Sequence, residues 1–189
     1  MEHLPNIGKT VRVPVDISIH PYLFDHRFEG KTVFPAVESM QVLAKSIKDL
    51  APDMDISCMT NARFEKFFYI QPGTGRVAAF SDMVIHDKGD ITARLLTKQG
   101  HGKSSITRIK EHATIHFART TQELPELPLD LAAALEGICI EIPFERIYGD
   151  LVPFGAAYHN IDHSLLISSE GAIARTRVPL ISGDGMDYQ

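Results

Sequence analysis

The 189-residue sequence predicts an α+β fold, an antiparallel sheet curved round one long helix. Two observations carry that prediction. A two-residue apolar alternation near the N-terminus gives way to a helical three-and-four repeat, and a series of apolar segments separated by turn-rich breaks follows. The length suffices for one compact domain, or for one domain and part of a second.

In TVRVPVDISIH, residues 10–20, Val11, Val13, Val15, Ile17 and Ile19 alternate with Arg12, Pro14, Asp16 and Ser18, the period of a half-buried strand. Pro14 has no N–H to give to a ladder, so this strand is expected at a sheet edge or with a local break. From Ala36 the period changes. Met40, Leu43, Ala44, Ile47, Leu50 and Ala51 recur at three and four, and Val37 and Val42 broaden the apolar surface. That pattern predicts a largely buried helix of about four turns, closed before Pro52. Segments 62–70, 76–86, 91–98 and 104–117 then read as strands, parted by PGTG, DKGD and QGHGK. From about Thr120, TTQELPELPLDLAAALEG reads as a proline-bearing linker with a helical turn or two. PFERIYGDLVPFGAAYHNIDHSLLI resumes compact character, and AIARTRVPL offers one more alternating strand.

Nineteen Lys and Arg against 24 Asp and Glu, a net charge of −5, give no basic footprint for nucleic acid. The N-terminus lacks a signal-peptide pattern, and no apolar run approaches the ~20 residues that span a bilayer, so a cytoplasmic protein without membrane attachment is expected. Cys58 and Cys139 lack metal-ligand spacing and read as free thiols. The spacings of His112, His116, His159 and His163 do not form a metal triad, so no metal site is expected. Phe64, Phe67, Phe68 and Tyr69 form an aromatic cluster, read first as core and second as the lining of a ligand tunnel.

Chemistry starts at His26, one of nine histidines, because of its setting. Gly30 permits a positive-φ backbone where a ligand can come close, and Pro35 suits a helix start, where a missing N–H costs nothing. The amides of Ala36, Val37 and Glu38 would have no helical acceptor and would favour an anionic oxygen. A histidine near such a carbonyl could remove the proton on the adjacent carbon, since its ordinary pKa of about 6.5 makes it a base at neutral pH.

His26, Gly30 and Pro35 resemble the HxxxGxxxxP motif of the dehydratase domains of polyketide synthases and multifunctional fatty acid synthases, and HPYLFDH resembles the lead-in to that motif. EHATIHF, Glu111 to Phe117, is similar to the last strand of the family's first hot dog, and FGAAY, Phe154 to Tyr158, to the YGPxF string opening the second. The resemblance implies a hot-dog fold with an incomplete second hot dog: an N-terminal hot-dog domain at 1–119, a linker at 120–142 and a partial second hot dog at 143–189. It further implies elimination of water from 3-hydroxyacyl thioesters on an acyl-carrier protein, without a dissociable cofactor. His26 would be the base, with Gly30, Pro35, Ala36, Val37, Phe154 and Tyr158 holding substrate.

The chain also departs from the family. Ala36 stands where the family has glycine, Phe154 replaces the tyrosine and Ala156 the proline of YGPxF. The family's catalytic aspartate, expected after a strand like AIARTRVPL, has no counterpart before the sequence ends at GDGMDYQ. Glu38 is the candidate replacement acid, although a carboxylate in a first helical turn also complements the helix dipole. Gln41 has the spacing of the acid in single-hot-dog dehydratases but cannot give a proton; Asp184 and Asp187 lie in a Gly-rich tail, and Asp25 belongs to the turn presenting His26, with an orienting partner as its alternative role. The competing readings are a non-catalytic module that binds acyl chains or carrier protein, and a hot-dog thioesterase. An uncovered sheet edge would favour a homodimer.

Overall fold

The computed structural model describes residues 7–100, 107–119, 130 and 135–177. These residues divide into two units, one formed by 7–20 and 33–119 and the other by 21–32 with the described residues from 130 onward. Residues 21–32, expected within the N-terminal domain, group with the C-terminal unit instead.

The first unit is a five-stranded antiparallel sheet on one helix. Its strands are β1 (Thr10–Ser18), β4 (Met59–Arg63), β5 (Arg76–Ile85), β6 (Ile91–Gly100) and β7 (Thr107–Phe117), in the spatial order β1-β5-β6-β7-β4. β1 lies at the edge, as its proline requires, with Pro14 opposite Phe80. The helix, α1 (Ala36–Leu50), has Pro35 as its N-cap with φ −62° and ψ 148°, so the proline precedes the first helical residue rather than forming it.

Register explains how helix and sheet meet. Residues Ser81, Leu95 and Ala113 align across β5, β6 and β7, as do Met83, Ala93 and Ile115, and then Ile85, Ile91 and Phe117. All nine are buried. In the first two rows large and small side chains alternate, leaving hollows that Leu43, Ala44 and Ile47 can fill as α1 meets β5, β6 and β7. The helix is buried on one face only. Val37, expected to broaden its apolar surface, is 58% exposed, and Val42 is half-buried.

The opposite face of the sheet is mixed, with Phe80, Val84 and buried Leu96 among polar residues. There Asp82 accepts two hydrogen bonds from Arg12, 2.6 Å from Nε and 2.7 Å from Nη2, which tie the edge strand to its neighbour. The Asp82 carboxylate raises the Arg12 pKa further above its ordinary value.

One predicted strand is corrected. The strand expected over 62–70 is not formed beyond its first two residues: β4 ends at Arg63, and 64–70 continues irregularly, with an isolated bridge between Val33 and Tyr69. The aromatic cluster divides accordingly. Phe68 is buried against Phe34, with ring centroids 5.2 Å apart, whereas Phe64, Phe67 and Tyr69 are exposed. The segment is fastened by His112, a buried residue of β7. Its ring stacks on Phe68 at 4.5 Å, with Nδ1 3.2 Å from the Lys66 carbonyl and Nε2 2.8 Å from the Thr97 hydroxyl.

The second unit holds a three-stranded antiparallel sheet, β10-β9-β8, from β8 (Ile140–Pro143), β9 (Ile161–Ile167) and β10 (Ala172–Thr176). β10 covers the described part of the strand expected in AIARTRVPL. A helical turn, Phe144–Arg146, runs on into a π-helical turn, Ile147–Leu151, which buries Ile147. The same unit includes a hairpin of β2 (Arg27–Phe28) and β3 (Lys31–Thr32). The architecture is an antiparallel sheet on a central helix accompanied by part of a second such motif.

Candidate active site

His26 follows a 3₁₀ turn, Pro21–Asp25, that is anchored by buried Leu23. Its amide donates to the Leu23 carbonyl at 3.2 Å, and Arg27 Nε donates to the Phe24 carbonyl at 2.9 Å. The chain then reverses in the β2–β3 hairpin, whose central residues Glu29 and Gly30 have φ of 49° and 73°. Two consecutive positive-φ residues are the signature of a tight hairpin turn that matches strand twist, and glycine takes the second at no steric cost. Gly30 is thereby explained by the turn.

The imidazole of His26 is half-buried against two aromatic rings of the Phe154–Tyr158 loop, which also touch each other with centroids 5.7 Å apart. The Phe154 centroid is 4.4 Å away at 39°, and the Tyr158 centroid 5.3 Å away at 56°. Tyr22 lies 6.4 Å beyond Tyr158. Sequence positions 26, 154 and 158 therefore meet within one unit, and Gly30 lies on the adjoining hairpin. The two rings restrict the motion of the imidazole.

Asp25, read from sequence as part of the turn that presents His26, has a more specific attachment. Its carbonyl accepts from the Gly155 amide at 2.8 Å, and its Oδ2 accepts from the Ala157 amide at 3.0 Å. Sequence reasoning missed this because the partners are about 130 residues apart. His159 was missed also. Its Nε2 bonds the Phe154 carbonyl at 3.0 Å while its ring stacks on Tyr148 at 4.1 Å. The adjacency of Asp25 to His26 and the glycine of FGAAY were the available signals.

Pro35, Ala36, Val37 and Glu38 fall in the first unit, at the start of α1. The first helical hydrogen bond runs from the Ser39 amide to the Pro35 carbonyl at 3.2 Å, and no side chain caps the helix. The amides of Ala36 and Val37 therefore have no acceptor within the helix. Glu38 is half-buried in the first turn, and Gln41 is exposed one turn on. Asp184 and Asp187 lie outside the described residues.

No protein-family model matches the sequence, and no curated protein does. Solved structures do. The chain is similar to a dehydratase domain of a trans-AT polyketide synthase from Brevibacillus brevis, with a TM-score of 0.70 and 16% identity over 93% of the chain. It is similar also to the dehydratase domain of the terminal module of the rifamycin polyketide synthase, with a TM-score of 0.65 and 16% identity over 92% of the chain. A third, the dehydratase domain of the CurF module of curacin polyketide synthase, gives a TM-score of 0.66 and 16% identity over 94%. The chain spans 62% of the length of the first two and 63% of the third. Sheet order, central helix and the match over nearly the whole chain agree: this protein has the hot-dog fold of polyketide synthase dehydratase domains.

Proposed function

We propose that this chain is a cytoplasmic dehydratase-like protein that eliminates water from 3-hydroxyacyl groups carried as phosphopantetheine thioesters on an acyl-carrier protein, in polyketide or fatty acid synthesis. The observation that carries the reading is His26 packed against Phe154 and Tyr158 in a chain with this fold. The neutral imidazole takes the proton from the carbon next to the thioester carbonyl, and the C–H electron pair becomes the new carbon–carbon double bond. The β-hydroxyl leaves as water with a proton from an acid, for which Glu38 is the candidate. Amides at Ala36 and Val37 stabilise the negative charge that develops on the thioester oxygen. Gly30, Pro35, Phe154 and Tyr158 contact substrate. The elimination needs no dissociable cofactor, and the acting form is a homodimer.

Replacing His26 tests the assignment. For H26A, hydration of a 2-enoyl thioester falls at least about a hundredfold, the scale of a lost general base. Equal rates for the variant and the wild-type protein would remove His26 from the mechanism.

Phe154 favours a second reading, because it puts an apolar edge beside His26 where the resembling family has a phenol. Under that reading the chain is a binding module for acyl groups or carrier protein. Incubation with hydroxyacyl, enoyl and acyl thioesters separates the two: a dehydratase interconverts the first two, whereas a binding module returns every substrate unchanged. Release of free thiol would instead mark a thioesterase.

A further inference from the structure

The loop that flanks His26 is fastened from two directions. Asp25 receives the Gly155 amide on its carbonyl and the Ala157 amide on its carboxylate. A Cβ on Gly155 would overlap that same carboxyl group, although the Gly155 backbone, at φ −74°, is one any residue adopts. Glycine is needed there for space, to let Asp25 approach. On the far side His159 bonds the Phe154 carbonyl, and its ring is backed by Tyr148 and Phe144. Tyr148 is itself fixed, its hydroxyl accepting from the Ile161 amide at 2.9 Å.

We infer that Asp25 is a positioning residue for His26, acting through the Phe154–Tyr158 loop. Asp25 and His26 are consecutive, so a loop registered on Asp25 is registered on its neighbour. The carboxylate sets where residues 155–157 lie, and residues 154 and 158 on either side of them then wall the imidazole. Two aromatic walls restrict the ring to few side-chain rotamers. A base held in one orientation reacts faster than one that must find it, and a misplacement of about 1 Å can cost about a hundredfold. Without the Asp25 carboxylate the Ala157 amide loses its acceptor, the walls shift and the imidazole explores other rotamers. The structural part stands whatever the chain catalyses; only the rate effect rests on the dehydratase reading.

The test is NMR of the histidine and tyrosine rings in the full chain, with four variants. D25A removes the acceptor, A157P removes the donor and also fixes φ at residue 157, G155A pushes a methyl group into the carboxyl, and D25N keeps an oxygen that can accept from Ala157. The ring resonances of His26 and Tyr158 are expected to move together in D25A, A157P and G155A. They remain near the wild-type positions in D25N, and the amides of β9 and β10 are unchanged throughout. His26 resonances that stay in place in folded D25A or A157P overturn the inference. A157P carries the test alone if D25A does not fold. In enoyl-thioester hydration, D25A lowers kcat roughly ten- to a hundredfold with KM about unchanged, and D25N recovers most of the loss. Wild-type protein without turnover would defeat the dehydratase reading, and the ring resonances would still decide the role of Asp25.

Discussion

Two histidines illustrate how surroundings assign a residue its task. His26 is half-buried against aromatic rings, whereas His112 lies in the core of the first unit with both ring nitrogens engaged and Phe68 stacked on it. Burial pushes the pKa of His112 below its ordinary value, helped by the charges of Lys110 and Lys66 and opposed by hydrogen bonding to the Lys66 and Phe67 backbone. The unfolded chain therefore takes up a proton at a pH, near about 6.5, where the native protein still refuses it. Folding stability rises with pH across that window, and the contribution of His112 is lost as pH falls from about 6.5 towards the lower native value. Urea unfolding at pH 7.5 and 5.5 checks this: the midpoint should drop on acidification, and less so in H112L. At neutral pH H112L should itself cost about 1–3 kcal/mol, because the buried Thr97 hydroxyl loses its partner. At this scale the sequence was a partial guide. His26 stood out through its neighbours Gly30 and Pro35, but the importance of Asp25 depends on residues 155 and 157, a pairing no local pattern announces.

At the scale of elements, α1 was legible because helical period, proline and length agreed, and it runs over Ala36–Leu50 as the pattern required. Strands β1, β5, β6 and β7 followed from alternation and from glycine-bearing turns. Segment 62–70 misled because aromatic residues imitate a strand. Phe67 and Tyr69 contact each other edge to face on the surface, and Lys110 bonds the Phe67 carbonyl, so tertiary contacts hold an irregular backbone that local propensity would extend. The helix invites a paired test. Leu43 is fully buried and L43A should cost about 2–5 kcal/mol, while V37A on the exposed side should stay within about 0.5 kcal/mol. Equal losses in urea unfolding would mean that the helix is rotated from this orientation. Gly30→Ala, which forces a side chain into positive φ at the β2–β3 turn, should cost about 1–2 kcal/mol.

At the scale of the whole molecule, the proposed homodimer has a simple check. Light scattering at micromolar protein should give twice the 21.0 kDa chain mass. A monomer mass that persists as concentration rises would end any scheme in which a second copy supplies the acid for His26. Among the described residues, β1 and β4 are the outer strands of the first unit's sheet and β8 and β10 those of the second unit's, and an outer strand is one to which another chain can add.

The assignment of residues 21–32 to the C-terminal unit bears on how the protein is born. A ribosome adding about 5–20 residues per second completes the His26 hairpin, then spends roughly 5–20 s on the intervening 90 or so residues before the rest of that unit begins to emerge. During this interval the five-stranded sheet and its helix can form, while His26 waits for Phe154 and Tyr158 to be made. The surroundings of His26 are therefore completed late in synthesis, and a fragment ending at residue 119 could keep its sheet yet leave its histidine without Phe154 and Tyr158 beside it.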